Sequence, residues 1–89
     1  MLDILIKNNI FNKSFTLKEI AVSLKHYCDM YFLLQLTDKQ FLEIILYFYS
    51  LKSTFLEQNG TLNPTLTRLL GKKRSFTILI LLKNYFDNI

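Results

Sequence analysis

The sequence has few of the residues that mark secreted folds and the common catalytic motifs. Its 89 residues include one cysteine, two glycines, one proline and no tryptophan. A single cysteine excludes a disulfide within the chain, which fits a reducing compartment such as the cytoplasm. The sequence contains no G-x-G-x-x-G, P-loop, G-x-S-x-G or H-E-x-x-H motif. We therefore expect this chain to have no catalytic, cofactor-binding or metal site of its own.

Long hydrophobic segments are also missing. No stretch approaches the ~18 apolar residues of a membrane-spanning helix, so we expect no membrane insertion. The opening residues MLDILIK carry an early acidic charge, unlike a signal peptide. Yet 51% of the residues are hydrophobic and 15% are aromatic. This is more apolar material than one small core needs, and the excess predicts an exposed apolar patch, which usually marks either a partner surface or an aggregation risk.

Two capping boxes mark the starts of the first two helices. In each box a threonine hydroxyl and a side chain three residues later satisfy one another's backbone N–H groups. Thr16 and Glu19 open a predicted helix at about 17–28, and Thr37 and Gln40 open a longer one at about 38–58. The longer helix ends before Asn59-Gly60, a common stop signal. Its apolar stripe consists of Phe41, Ile44, Ile45, Phe48, Leu51 and Phe55.

The remaining elements are shorter. Asn63-Pro64 predicts the start of a helix at 64–70, which Gly71 ends. Ser75 is expected to cap a last helix at 76–87, after a loop of three basic residues. Its first turns, FTILILL, are apolar nearly all round, so this helix is either buried on several sides or lacks its natural cover. The apolar run at 31–36 predicts a short strand, with further candidate strands at 2–6 or 10–15. The chain is thus expected to form one small domain over 1–89, α+β but mostly α.

Basic charge is concentrated late in the chain. The net charge is +4, and no acidic residue occurs between Glu57 and Asp87. A short basic run is commonly a solvated loop, but it can also contact phosphate or nucleic acid. The candidate contacts are Arg68, Lys72, Lys73 and Arg74.

The chain has one cysteine and one histidine, residue types that often take part in catalysis or metal binding. Cys28 falls on the apolar face of the first predicted helix, so we interpret it as a small core residue rather than a nucleophile. His26 has Asp29 three residues later, a spacing that permits contact on a helix. One such contact makes neither a metal site nor a catalytic set.

Three segments, in order, resemble the C-terminal portion of NmrA-like proteins, which are atypical short-chain dehydrogenases that bind NAD(P). They are FTLKEIA at 15–21, YFLLQLTDKQFLEIIL at 31–46 and NPTLTRLLGKKRSF at 63–76. The resemblance covers 15–76. The residues that fall on the family pattern are Thr16, Glu19, Ile20, Ala21, Asp38, Phe41, Thr65, Gly71, Ser75 and Phe76.

The sequence also departs from the NmrA-like pattern. Arg74 replaces the usual proline, and Thr77, Ile78 and Leu79 replace the usual acidic residues. The Rossmann half with its glycine-rich loop is missing, so no residue here is assigned to NAD(P) binding. The resemblance implies the substrate-side lobe of such an enzyme, present as a short or truncated reading frame. A Rossmann-type domain would then be its partner, and NAD(P) the cofactor of the full-length family.

Three functional hypotheses follow. The first is this lobe, without catalysis of its own. The second is a small nucleic-acid-binding module, because TLKEIAVSL at 16–24 is similar to the first helix of a helix-turn-helix. The apolar run at 31–36 speaks against it, since a recognition helix should be polar and basic there. The third is a helical interaction protein that self-associates through its apolar helices.

Overall fold

The computed structural model describes residues 15–88 and folds most of them into four helices. These are α1 (Leu17–Phe32), α2 (Asp38–Leu51), α3 (Pro64–Leu70) and α4 (Lys72–Asp87). The mostly α fold predicted from the sequence is confirmed. The candidate strands at 2–6 and 10–15 lie outside the described residues, except for Phe15. That residue is not in a strand, and its ring meets Phe48 edge-on with 5.8 Å between centroids.

Helix α1 begins where its capping box predicts. The Thr16 hydroxyl accepts from the Glu19 N–H at 3.1 Å, and the Glu19 carboxylate accepts from the Thr16 N–H at 3.0 Å. Its buried face includes the predicted Cys28. The helix continues to Phe32, beyond the predicted end at about 28, because apolar residues past Cys28 still meet the neighbouring helices.

The predicted strand at 31–36 is wrong. Tyr31 and Phe32 form the last residues of α1, and a turn follows in which Leu34 has a φ of 61°. The Tyr31 ring stacks on Phe41 of α2 at 5.1 Å, and its hydroxyl donates to Asp38 at 2.7 Å. The apolar run at 31–36 therefore serves contact between two helices and not a buried strand. Short apolar segments cannot be assigned to helix or strand from their periodicity alone.

Helix α2 begins at its predicted capping box but ends at Leu51, well before 58. Lys52 is already extended, with φ −133° and ψ 114°. The Ser50 hydroxyl donates to the Tyr47 carbonyl at 2.6 Å, a local bond that competes with helix continuation. Ser53 and Thr54 follow, and both residue types favour turns over helix interiors.

A short hairpin replaces the predicted end of α2. Leu56 and Leu62 form an antiparallel bridge, and the Glu57 N–H donates to the Thr61 carbonyl at 2.7 Å. Gly60 has a φ of 86°, so Asn59-Gly60 turns a hairpin here instead of closing a helix. Phe55 is buried as the apolar pattern predicts, although it belongs to this irregular segment.

Helix α3 has its predicted limits, and α4 begins earlier than predicted. The Asn63 side chain caps α3 by accepting from the Thr65 N–H at 2.8 Å. The basic residues 72–74 form the first turn of α4 rather than a loop. Ser75, predicted as a cap, is buried inside that helix. Gly71 alone separates the two helices: its N–H donates to Thr67 at 2.9 Å, and its carbonyl accepts from Ser75 at 3.0 Å.

The core lies between the four helices. Helix α1 packs against all three others, and α4 also packs on α2 and α3. Of the helices described, none combines the length and the apolar character needed to cross a bilayer. The fully buried large side chains are Ile20, Leu24, Phe41, Ile44, Ile45, Phe48, Phe55, Leu66, Leu70, Ile78 and Leu82.

Candidate interaction surface

Arg74 on α4 forms hydrogen bonds with residues of two other helices. Its guanidinium donates to both carboxylate oxygens of Asp29 on α1, at 2.9 and 3.1 Å. A third N–H donates to the Leu70 carbonyl at 3.2 Å, near the end of α3. This bidentate geometry is the strongest form of an arginine–carboxylate contact. Arg74 therefore joins α1, α3 and α4, and its guanidinium is already engaged in contacts within the fold.

The electrostatics of Asp29 follow from this contact. Hydrogen bonding from Arg74, together with its charge, lowers the pKa of the Asp29 carboxyl below its ordinary value. The pair also offsets an unfavourable feature of α4, whose first turn carries three basic residues and no acidic one. Cations at the positive end of a helix dipole are destabilising, and Asp29 supplies the missing negative charge from a neighbouring helix.

Of the other candidate basic residues, one contacts an aromatic ring and two are exposed to solvent. The Lys73 ammonium lies 4.8 Å from the centre of the Phe32 ring, in a cation–π contact. Arg68 on α3 and Lys72 on α4 are exposed. The structure thus places Lys72, Lys73 and Arg74 on consecutive positions of one helix turn but gives them separate environments.

One face of α4 combines apolar and charged side chains in the solvent. Phe76 is 66% exposed and Ile80 is 39% exposed, although both belong to the most apolar part of the sequence. Of the two alternatives for this helix, burial on several sides or the lack of a cover, these exposures favour the second on this face, while Ile78 and Leu82 are fully buried. We define the α4 surface as Lys72, Phe76, Leu79, Ile80, Lys83 and Asp87.

An open groove of about 640 Å³ adjoins this surface, between α4, α3 and the hairpin. It shares Lys72, Phe76 and Leu79 with the α4 surface, and Leu62 adds a further apolar wall. None of its lining residues is acidic. The groove, here called the α3–α4 groove, therefore offers apolar contact beside two lysines.

Cys28 and Asp29 occupy positions that fit structural roles. Cys28 is fully buried, and burial raises the pKa of its thiol to about 11. A protonated, inaccessible thiol is a poor nucleophile. The helical spacing permits a His26–Asp29 contact, but the ion pair that Asp29 forms is with Arg74 on α4. Within 15–88 no three histidine, cysteine, aspartate or glutamate side chains gather as metal ligands would.

Sequence reasoning missed the Asp29–Arg74 pair and the precise location of the exposed apolar residues. The pair links positions 45 residues apart, which no local pattern connects. The exposed face of α4 had a signal in the run FTILILL at 76–82, which is apolar nearly all round and has few neighbours to cover it in a chain this small.

Comparison with known proteins adds a family and no activity. No curated protein and no solved structure matches the chain. The resemblance to NmrA-like proteins stays a prediction. A family model described as "conserved hypothetical protein" matches residues 9–80, which is most of the sequence, and the chain belongs to that family.

Proposed function

We propose that this chain is a non-catalytic helical interaction module that binds another protein through the α4 surface and the α3–α4 groove. The observation that carries the proposal is the exposure of Phe76 and Ile80 on the solvent side of α4. Exposed apolar patches mark protein interaction sites more often than chance, and aromatic side chains are enriched at protein interfaces.

The lobe hypothesis is one form of this proposal. If the NmrA-like resemblance holds, the protein that covers the α4 surface is a Rossmann-type domain, and NAD(P) binds to that domain. The interaction module does not need this identity, because any protein with a complementary apolar patch could cover the same face. The single cysteine, buried and protonated, is compatible with a place in the reducing cytoplasm.

The nucleic-acid hypothesis has less support. Arg74 is paired with Asp29 and Lys73 lies over the Phe32 ring, so Arg68 and Lys72 are the members of the candidate set without such a contact in the described residues. The helix that follows α1 is α2, and it carries two acidic residues against one lysine. A recognition helix needs the opposite balance. If DNA bound, its affinity should fall steeply with salt and with Arg68→Ala/Lys72→Ala.

Site-specific photocrosslinking tests the proposed function. A benzophenone amino acid replaces Phe76 in the chain as expressed in cells, and a matched variant carries it at Val22. Val22 is 63% exposed on α1, outside the α4 surface, so it controls for general exposure. We expect protein adducts from position 76 and far fewer from position 22. Equal yields from both positions, or none from position 76, would refute an interface on α4.

A further inference from the structure

The α4 surface is a single continuous stripe. At about 3.6 residues per turn, its six residues fall within an arc of roughly 100°. The stripe begins with Lys72, continues through Phe76, Leu79, Ile80 and Lys83, and ends with Asp87. Its middle is apolar, Lys72 stands at one end, and Lys83 followed by Asp87 stands at the other.

This charge pattern is self-complementary in one orientation only. When two copies of α4 lie antiparallel about a two-fold axis near residues 79 and 80, Lys72 meets Asp87 of the partner subunit, and the contact occurs twice. Parallel packing would set lysine against lysine and aspartate against aspartate. An isologous interface needs a surface that matches itself, and the antiparallel arrangement of this stripe provides one.

The same register brings the apolar residues together. Leu79 and Ile80 of one copy face the same pair of the other, and Phe76 lies along the aliphatic stem of the partner's Lys83. Lysine stems cover apolar surface well while their ammonium groups stay in water. Neither Lys72 nor Asp87 forms an ion pair with any residue in the described part of the chain, so both charges are available.

We infer that the partner of the α4 surface is a second copy of this chain, bound antiparallel through α4. The inference rests on the proposed function and specifies its partner. One helix from each protomer gives a small interface, typical of weak or transient association, so the dimer should appear at high protein concentration. The partner also covers Phe76 and Leu79, which form the α4 wall of the α3–α4 groove.

Sedimentation equilibrium of the full chain, from about 10 μM to about 1 mM at low salt, tests this inference. We expect a monomer–dimer equilibrium for the wild type. Phe76→Ser should raise the dissociation constant of the dimer about tenfold or more, because it removes the largest exposed apolar side chain of the α4 surface. Val22→Ser removes an apolar side chain of similar exposure from α1 and should leave the equilibrium unchanged.

Charge reversal tests the orientation. Lys72→Asp and Asp87→Lys should each weaken self-association about three- to tenfold, because each places like charges together. An equimolar mixture of the two variants should form a heterodimer of wild-type strength, as should the double variant with itself. Each change also suits the dipole of α4, placing an acid at its start or a base at its end. Loss of association therefore cannot be attributed to unfolding.

The outcomes separate this inference from the proposed function. A chain that stays monomeric near 1 mM, or a mixture that does not recover association, overturns the antiparallel dimer. If the crosslinker at position 76 then captures a different protein, the proposed function stands and only its partner changes. If position 76 captures nothing, both proposals fall.

Discussion

Replacing Gly71 with alanine should destabilise the fold without creating a clash. Gly71 has φ 86° and ψ 166°, a combination that is essentially restricted to glycine. A Cβ built on Gly71 meets no atom within 4 Å, so the cost comes from the backbone alone. Because Gly71 closes α3 and opens α4, relieving the strain would change the angle between these helices and the shape of the groove.

The expected cost is about 1–3 kcal/mol, the range for a residue held in such a region. A domain of this size has a free energy of unfolding of roughly 4–13 kcal/mol, so the loss is a considerable fraction of the total. The melting temperature should fall by roughly 4–24 °C, at ~4–8 °C per kcal/mol. Asparagine should give no rescue, because its tolerance of positive φ applies to the left-handed helical region near ψ +47°.

Urea unfolding followed by far-UV circular dichroism measures the cost, with Gly71→Ala and Gly71→Asn compared under identical conditions. Gly60→Ala is the matched control, since Gly60 also has φ 86° and open space at its Cβ but lies in the hairpin. Amide chemical shifts should move in α3 and α4 for Gly71→Ala, and near the hairpin for Gly60→Ala. If Gly71→Asn is as stable as the wild type, the strain argument is wrong.

Further substitutions at Leu34, Cys28, Asp29 and Arg74 test other parts of the fold. Leu34 is 92% exposed with a φ of 61°, so Leu34→Gly should raise the free energy of unfolding by about 1 kcal/mol, whereas Leu33→Gly, at φ −84°, should lower it. Cys28 should react with a thiol reagent only after unfolding. Folding raises the pKa of the Cys28 thiol from 9.0 to about 11, so the thiol's contribution to the free energy of unfolding is complete below pH 9 and is lost as pH rises toward 11. Cys28→Ala should abolish this loss when denaturation is measured across that pH range. Asp29→Asn should destabilise the chain at neutral pH, and the difference from the wild type should shrink as pH falls below 3.8, because the lowered pKa of Asp29 is a contribution that acid removes. Arg74→Lys should recover only part of the wild-type stability, since lysine cannot form the bidentate contact.

Helix starts were predictable where the capping partners lie within three residues. Thr16, Thr37 and Asn63 each cap the helix that the sequence assigns to them. Helix ends were less predictable because one local signal has two uses. Asn59-Gly60 has the same composition as a helix stop and as a hairpin turn, and burial of Phe55 against the core favours the turn. Local propensity is a weak guide wherever tertiary packing takes part.

The roles of the basic residues at the start of α4 are set by contacts with residues far away in the sequence. The sequence therefore predicted which residues are basic and clustered, but not what each of them contacts. A basic run with no nearby acid predicts an exposed cluster. Arg74 instead pairs with an aspartate that only the packing of α1 on α4 brings near. Lys73 likewise lies over Phe32, a residue that the wrong strand assignment had placed in a different element. Correct α1 limits would have been required before either contact could be predicted.

The first turn of α4 links stability to the proposed interface. Its three basic residues oppose the helix dipole, and Asp29 and Phe32 satisfy two of them from α1. Within residues 15–88, Lys72 has no ion-pair partner, and it lies at one end of the apolar stripe. A carboxylate brought there by another chain would favour both Lys72 and the dipole. Antiparallel pairing supplies that carboxylate from the partner's Asp87, at the negative end of its own helix, which relieves an unfavourable charge in each protomer at once.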